Sequence, residues 1–96
     1  MSDEIKYILD DNYSSFSAWL NGKKVGYATF IRHDDKTIIL DYTEVDPNMQ
    51  GKNIGAELVK CVAALARQEN KKIIPTCRFA KITLMRNPEY SDVIEL

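Results

Sequence analysis

Apolar and polar residues alternate along the first half of the chain, with polar breaks every six to twelve positions. This pattern predicts four strands, over residues 5–9, 16–20, 25–32 and 37–45. Asn21-Gly22 separates the second strand from the third, and this pair is typical of a two-residue hairpin because both residues tolerate positive φ. We therefore expect the first half of the chain to form an antiparallel meander.

The period changes to a helical one in the second half. Leu58, Val62 and Leu65 recur at intervals of three and four residues, and polar residues occupy the outer face. The spacing predicts a helix over 53–69, with Asn70 as the left-handed residue that follows its end.

A short apolar run over 72–76 predicts a fifth strand, which a right-handed crossover would place parallel to an earlier one. Residues 80–86 suit a short second helix, which ends at Asn87-Pro88 because a residue before proline avoids the α region. The expected fold class is α+β: a mainly antiparallel sheet of about five strands, one long helix and a short C-terminal helix. A chain of 96 residues supports one core, so we expect a single domain over 1–96.

Charge and composition exclude several classes of protein. The formal net charge is −1 and no run of Lys or Arg occurs, so nothing indicates a nucleic-acid partner. No apolar run approaches the roughly 20 residues that a membrane span needs. The first residues are charged and lack the apolar segment of a signal peptide. We expect a cytoplasmic monomer.

The two cysteines do not indicate a metal. Cys61 and Cys77 form no C-x-x-C pair, and the chain has one histidine, His33, so no metal site is expected. Cys61 falls on the apolar face of the predicted long helix and is interpreted as a core residue. Cys77 follows the predicted fifth strand and is the candidate for chemistry.

The segment 45–56 joins a strand to the start of the long helix. The N-terminus of a helix offers unpaired N–H groups and a positive dipole end, which suit an anionic phosphate. Gly51 and Gly55 allow close backbone approach, and Lys52 adds a positive charge. An ordinary glycine-containing turn without a ligand explains the same residues, and spacing alone leaves both interpretations open.

The stretch Gln50-Gly51-Lys52-Asn53-Ile54-Gly55 resembles the acyl-CoA signature Q/R-x-x-G-x-G/A of the GNAT N-acetyltransferase superfamily, and Val45-x-Pro47 before it is also typical of that family. One position departs from the signature, because Asn53 stands where the family usually has glycine. Asparagine is the residue other than glycine that best tolerates positive φ, so the loop can keep its shape.

The resemblance extends over nearly the whole chain. Residues 72–81 and 87–92 are similar to a branch of very short GNAT-like domains of about this length, which carry a cysteine after the fifth strand and Pro-Glu-Tyr near the end. That branch lacks the two helices that wall the acceptor site in larger members. Nothing before Thr37 is predicted to be helical here either, so the resemblance implies an open acceptor side.

The resemblance implies that the cofactor is acetyl-CoA or coenzyme A, held by loop amides with the pantetheine beside a splayed strand. The acceptor would be a primary amine of unidentified origin, on a small molecule or a protein. The implied cofactor-binding residues are Thr43, Val45, Gln50, Gly51, Lys52, Asn53, Ile54, Gly55 and Ala56.

Two residues are candidates for catalysis. A Cys77 thiolate could take the acetyl group by transthioesterification, with Arg78 and Lys81 stabilising the anion, or Cys77 could be a buried residue at a strand end. Glu44 could act as a general base, or be an outward solvated carboxylate. In many GNAT enzymes a tyrosine on the helix after the fifth strand acts as the general acid. Residues 80–86 of this chain contain no tyrosine.

Three functions therefore follow from the sequence. The first is an N-acetyltransferase that acts directly or through Cys77. The alternative is a non-catalytic carrier or sensor of coenzyme A or acetyl-CoA, and a third is a redox sensor based on Cys77.

Overall fold

The computed structural model of the chain describes residues 4–95. Over these residues the order of elements is β1 (Lys6–Leu9), β2 (Ser15–Leu20), β3 (Lys23–Arg32), β4 (Thr37–Val45), α1 (Ile54–Gln68), β5 (Lys72–Pro75) and α2 (Arg78–Arg86). Single 3-10 turns precede α1 and follow α2, at Pro47–Met49 and Pro88–Tyr90. The strands form one sheet in the order β1-β2-β3-β4-β5, antiparallel except for the parallel pair β4–β5. The predicted α+β fold class is confirmed.

The predicted turn residues adopt left-handed conformations. Asn21 and Gly22 have φ of 51° and 81°, as a type I′ hairpin requires, and they link β2 to β3. Asn70, with φ of 58°, follows the end of α1. Both predictions are confirmed.

The core lies between one face of the sheet and α1. Its largest fully buried side chains include Ile38 and Leu40 from β4, Leu58 and Val62 from α1, and Ile73 from β5. Full burial of each such side chain stabilises the fold by about 1.5–3 kcal/mol. The prediction of a core position for Cys61 is wrong, because that residue is only half-buried. Its spacing places it at the margin of the apolar face of α1 rather than at the centre.

The C-terminal segment packs against α1. The Arg67 guanidinium bonds both carboxylate oxygens of Asp92 at 3.0 Å, donates to the carbonyl of Glu89 at 2.6 Å, and lies 5.9 Å from the Tyr90 ring centre. Tyr90 is buried. In residues 4–95 no helix is long and apolar enough to cross a membrane.

Strands β4 and β5 pair over a short parallel stretch and then diverge. Their pairing runs from Thr37 opposite Lys72 to Leu40 opposite Pro75 and stops there. The Leu40 carbonyl then accepts from the backbone N–H groups of Thr76 and Cys77, at 3.0 and 3.3 Å. β4 continues to Val45 without a partner on that side, so the sheet opens along its last five residues.

A β-bulge sets which residues face this opening. The β3–β4 register shifts between Thr29 and Phe30, and the hydroxyl of Thr29 donates to Asp41 at 2.7 Å. Thr43 lies opposite Ala28, a core residue on the α1 face, and Glu44 lies opposite Tyr27. Because side chains alternate along a strand, Thr43 and Val45 face α1 whereas Tyr42 and Glu44 face away from it.

Candidate functional site

A cleft of about 760 Å³ lies between the end of β4, the start of α1 and one side of α2. The sequence predicted nine cofactor-binding residues, and the cleft brings eight of them together. These eight are Thr43, Val45, Gln50, Gly51, Asn53, Ile54, Gly55 and Ala56.

The loop between β4 and α1 is held by its own polar groups. The Asp46 carboxylate accepts from the backbone N–H of Asn48 at 2.9 Å, and the Gln50 amide donates to the carbonyl of Val45 at 3.3 Å. Gly51 and Asn53 have φ of 84° and 65°. These left-handed residues turn the chain into α1, as the sequence predicted for Asn53.

The first turn of α1 faces the cleft. The first intrahelical bond runs from the N–H of Glu57 to the carbonyl of Asn53, at 3.1 Å, and the Asn53 side chain makes no capping bond. The N–H groups of Ile54, Gly55 and Ala56 therefore have no acceptor within the helix. Together with the helix dipole they form a site for an anion at one end of the cleft.

α2 supplies the second wall, which sequence reasoning missed. Phe79, Ile82, Thr83 and Arg86 line the cleft, and their spacing places them on one face of the helix. Phe79 and Ile82 are 45% and 39% exposed, so this apolar part of the wall is open to solvent. This face could have been found from the spacing, but the predicted helix began at residue 80. It begins at Arg78 instead, after Cys77, and cysteine has no strong preference for the N-cap.

The positive charge at the cleft differs from the predicted one. Lys52 is exposed and does not line the cleft, whereas Arg86, the last residue of α2, does. Lys52 lies between Gly51 and Asn53, which both line the cleft and have positive φ.

Cys77 lies beside the cleft rather than in its lining. The residue is half-buried at the N-cap of α2, and its thiol is 3.8 Å from the hydroxyl oxygen of Thr43, to which it can donate a weak hydrogen bond. Thr43 itself lines the cleft. Arg78 and Lys81, expected to stabilise a thiolate, both have exposed side chains.

Glu44 lies on the other face of the sheet. Its carboxylate accepts from the Tyr42 hydroxyl at 2.7 Å, and this bond, with the charge of Glu44, raises the pKa of Tyr42. Glu44 lines a second depression with Lys24, Tyr27 and Asp46. The two predicted catalytic residues therefore do not share the cleft. Within residues 4–95, no group of three or more His, Cys, Asp or Glu side chains could hold a metal.

A family model and a solved structure each match this chain over most of its length. A family model of GCN5-related N-acetyl-transferases matches residues 15–93. The solution structure of a GCN5-like protein from Staphylococcus aureus is 33% identical, with a TM-score of 0.74 over 99% of this chain and 91% of that one. Among curated proteins none matches the chain.

Larger solved proteins match over part of their length. A Mycobacterium tuberculosis protein in complex with CoA is 25% identical, with a TM-score of 0.59 over 64% of this chain and 39% of that one. A GNAT family acetyltransferase from Elizabethkingia anophelis with acetyl-CoA bound is 20% identical, with a TM-score of 0.63 over 75% of this chain and 50% of that one. The chain thus spans half or less of these two proteins.

Proposed function

The chain belongs to the GCN5-related N-acetyltransferase family, and from that premise we propose that it binds acetyl-CoA in the cleft and transfers the acetyl group to a primary amine. The observation that carries this proposal is the juxtaposition of the free N–H groups of α1 with the apolar wall of α2 across one cleft. Two structural relatives hold coenzyme A or acetyl-CoA, which supports the same ligand here.

The diphosphate of coenzyme A would lie at the start of α1. Its negative oxygens suit the N–H groups of Ile54, Gly55 and Ala56, and the left-handed Gly51 and Asn53 form the turn that leads into them. A volume of about 760 Å³ is within the usual range of small-molecule pockets.

The pantetheine would follow the opening beside β4. Val45 and Thr43 line one side of this opening, and Phe79 and Ile82 line the other. The unpaired edge of β4 beyond Leu40 offers backbone groups to the amides of the pantetheine, because β5 no longer occupies them. The acetyl thioester would then point toward the place where the strands part, near Cys77.

Arg86 would supply the positive charge for a phosphate. It is the basic residue that lines the cleft, and it lies seven residues along α2 from Phe79, about 10 Å further along the helix axis. Because Phe79 contacts the start of α1, Arg86 reaches a more distant part of the ligand than the diphosphate at the helix N-terminus.

Two routes of transfer fit these positions. In direct transfer the neutral amine nitrogen forms a bond to the acetyl carbon, the C–S bond breaks, and coenzyme A leaves as a thiol that takes the proton lost by the amine. In the Cys77 route the thiol loses its proton and its sulfur attacks the acetyl carbon, the C–S bond to coenzyme A breaks, and coenzyme A takes that proton and leaves as a thiol. The amine nitrogen then attacks the acetyl-cysteine, the C–S bond to Cys77 breaks, and the Cys77 sulfur takes the proton lost by the amine. The contact of Cys77 with Thr43 supports the second route.

A second function, binding without turnover, is favoured by specific observations. α2 spans Arg78–Arg86 and contains no tyrosine, and Glu44 is on the sheet face away from the cleft. A carrier or sensor needs only the cleft. The cytoplasmic location, the monomeric state and the single domain stay predictions of the sequence.

The test of the proposal combines binding and turnover on the whole protein. Coenzyme A should shift the backbone NMR signals of residues 51–56 and leave those of the Asn21-Gly22 turn in place. Mass spectrometry of reactions with acetyl-CoA and a panel of primary amines then measures the formation of acetylated amine and of free coenzyme A thiol. Binding with amine turnover supports the enzyme, and binding alone supports the carrier or sensor. Absence of binding contradicts both.

A further inference from the structure

Thr43 and Cys77 meet where β4 and β5 diverge. The Cys77 thiol lies 3.8 Å from Thr43 Oγ1 and donates a weak hydrogen bond to it. A hydroxyl oxygen carries two lone pairs and one proton, so this contact occupies a lone pair and leaves the O–H proton free to donate. Within residues 4–95 the structure gives that proton no acceptor. Thr43 therefore holds an uncommitted hydrogen-bond donor.

This donor is accessible from the cleft. Thr43 is half-buried and lines the cleft, on the strand face that points to α1. Beyond Leu40 the edge of β4 beside it has no partner strand, because the pairing with β5 stops there. The hydroxyl proton is thus available to a ligand that enters the opening between the two strands.

The start of α2 brings a positive helix end to the same place. The Leu40 carbonyl accepts from the N–H groups of Thr76 and Cys77, which fixes this end of the helix against β4. The first intrahelical bond runs from the N–H of Lys81 to the carbonyl of Cys77, at 2.9 Å, so the N–H groups of residues 78–80 have no acceptor within the helix. An oxygen that gains negative charge beside Cys77 would be stabilised by this helix end as well as by the hydroxyl.

We infer that the Thr43 hydroxyl donates a hydrogen bond to the carbonyl oxygen of the acetyl thioester. The inference rests on the proposed function, since it assigns a partner to one atom of the bound acetyl group. When a nucleophile attacks a thioester, negative charge develops on that oxygen, and a donor already in position lowers the barrier. Thr43 keeps its own proton throughout, so its contribution is electrostatic.

The separation of Thr43 and Cys77 suits both routes of transfer. In the Cys77 route the sulfur bonds the acetyl carbon, and the oxygen on that carbon can lie about 2.7–2.8 Å from a hydroxyl that is 3.8 Å from the sulfur. In direct transfer the thioester of coenzyme A occupies the same opening and the amine attacks it there. The carbonyl oxygen is favoured over the thioester sulfur as the acceptor, because sulfur accepts hydrogen bonds weakly.

A second hydroxyl in the cleft provides a matched control. Thr83 also lines the cleft and is also half-buried, but it belongs to α2. It lies six residues beyond Cys77, about 9 Å further along the helix axis, so its hydroxyl does not reach an oxygen next to the Cys77 sulfur. Thr83→Val is therefore the same chemical change at a different position in the same cleft.

The test uses the whole protein and acetyl-CoA that carries carbon-13 at the acetyl carbonyl. A donated hydrogen bond moves the signal of a carbonyl carbon to higher frequency, so binding should displace the signal in that direction. Thr43→Ser and Thr83→Val should keep this displacement. Thr43→Val, which has nearly the same shape without the hydroxyl, should lose most of it. Each measurement is repeated in the Cys77→Ala background, where the signal cannot come from acetyl-cysteine.

Affinity and turnover give two further measurements. Coenzyme A has no acetyl oxygen, so Thr43→Val should reduce the preference for acetyl-CoA over coenzyme A by about two- to tenfold, the scale of a neutral hydrogen bond. With an amine that is acetylated, kcat should fall by about 10- to 100-fold, the scale of a hydrogen bond to a charged group, and KM should change less. A role of Thr43 in packing alone would change the two affinities equally and leave the carbonyl signal in place.

The outcomes separate this inference from the proposed function. A carbonyl signal that Thr43→Val does not alter, or that Thr83→Val alters equally, would overturn the inference even if acetyl-CoA binds and an amine is acetylated. Loss of the displacement in Thr43→Val without acetylation of any amine supports the inference and leaves binding without turnover as the function. If acetyl-CoA does not bind to the wild-type protein, both are wrong.

Discussion

The ring of Phe79 lies directly against Gly55, so closely that a Cβ placed on Gly55 would come within 2.8 Å of the ring Cζ atom. Gly55 is the second residue of α1, and Phe79 is the second residue of α2. The missing side chain therefore allows the starts of the two helices to meet at the cleft. A glycine in the family signature here has a packing reason as well as a binding one.

This contact predicts the effect of Gly55→Ala. The methyl group would displace the Phe79 ring into the cleft, so coenzyme A binding should weaken by roughly 1 kcal/mol, the lower end of the cost of overpacking. Protein stability should change little, because alanine is the better helix former. In the double variant with Phe79→Leu, part of the affinity should return. Isothermal titration calorimetry on both single variants and the double variant checks this, and strict additivity would contradict the steric explanation.

Arg86 should matter more than Lys52 for the phosphates. Arg86→Gln should weaken coenzyme A binding by roughly 1–2 kcal/mol, the scale of a charge-assisted hydrogen bond, and the loss should shrink in high salt. Lys52→Gln has the same change of charge and should cost less, because Lys52 does not line the cleft. Titration with 3′-dephospho-coenzyme A distinguishes the 3′-phosphate from the diphosphate. An equal loss of affinity in both variants would mean that the overall electrostatic field of the protein, and not a direct contact of Arg86 with a phosphate, attracts the ligand.

The left-handed backbone of Asn53 predicts opposite effects of two substitutions. Asn53 has φ of 65° and its side chain makes no capping bond, so Asn53→Gly should keep both stability and coenzyme A affinity. Asn53→Val should destabilise the protein by roughly 1–2 kcal/mol, because a β-branched residue is strained in this region. Chemical denaturation measures the stability of each variant, and titration calorimetry measures its affinity for coenzyme A. A valine variant as stable as wild type would show that the loop adopts another conformation.

The two cysteines should differ in reactivity. Burial, reinforced by the nearby charge of Glu57, raises the pKa of Cys61, so iodoacetamide should modify it more slowly at neutral pH than a free thiol. If the Cys77 route operates, acetyl-CoA should add one acetyl group that hydroxylamine removes. Cys77→Ser should abolish this adduct and Cys61→Ser should not. Retention of the adduct in the Cys77→Ser variant would exclude the route.

The Arg67–Asp92 pair predicts a pH dependence of stability. The hydrogen bonds from Arg67 lower the pKa of Asp92, so the folded state binds the proton less readily than the unfolded one. The contribution is therefore present above the ordinary aspartate pKa of about 4 and is lost as the pH falls through the lowered value. Asp92→Asn should lower the melting temperature near pH 7 and have a vanishing effect near pH 2. Thermal denaturation as a function of pH tests this, with Asp35→Asn as an exposed control.

Local chemistry was enough to predict the elements and their order. Strand alternation, the Asn21-Gly22 hairpin and the helical spacing of Leu58, Val62 and Leu65 each depend on neighbours within a few residues, so the sequence carries them directly. The loop before α1 was recognised for the same reason. Its turn residues, its helix start and its family signature all lie within residues 45–56, and eight of the nine expected binding residues line the cleft.

What the sequence could not determine is how distant residues face one another. The bulge at Asp41 and the end of β4–β5 pairing at Leu40 decide that Thr43 faces the cleft and Glu44 faces away from it. The packing of α2 on α1 brings Phe79 and Arg86 to the cleft, whereas Lys52 does not line it. These outcomes depend on register and on packing between segments far apart in the chain. A pattern read along the sequence contains the period of each element, but only the folded structure sets their mutual rotation.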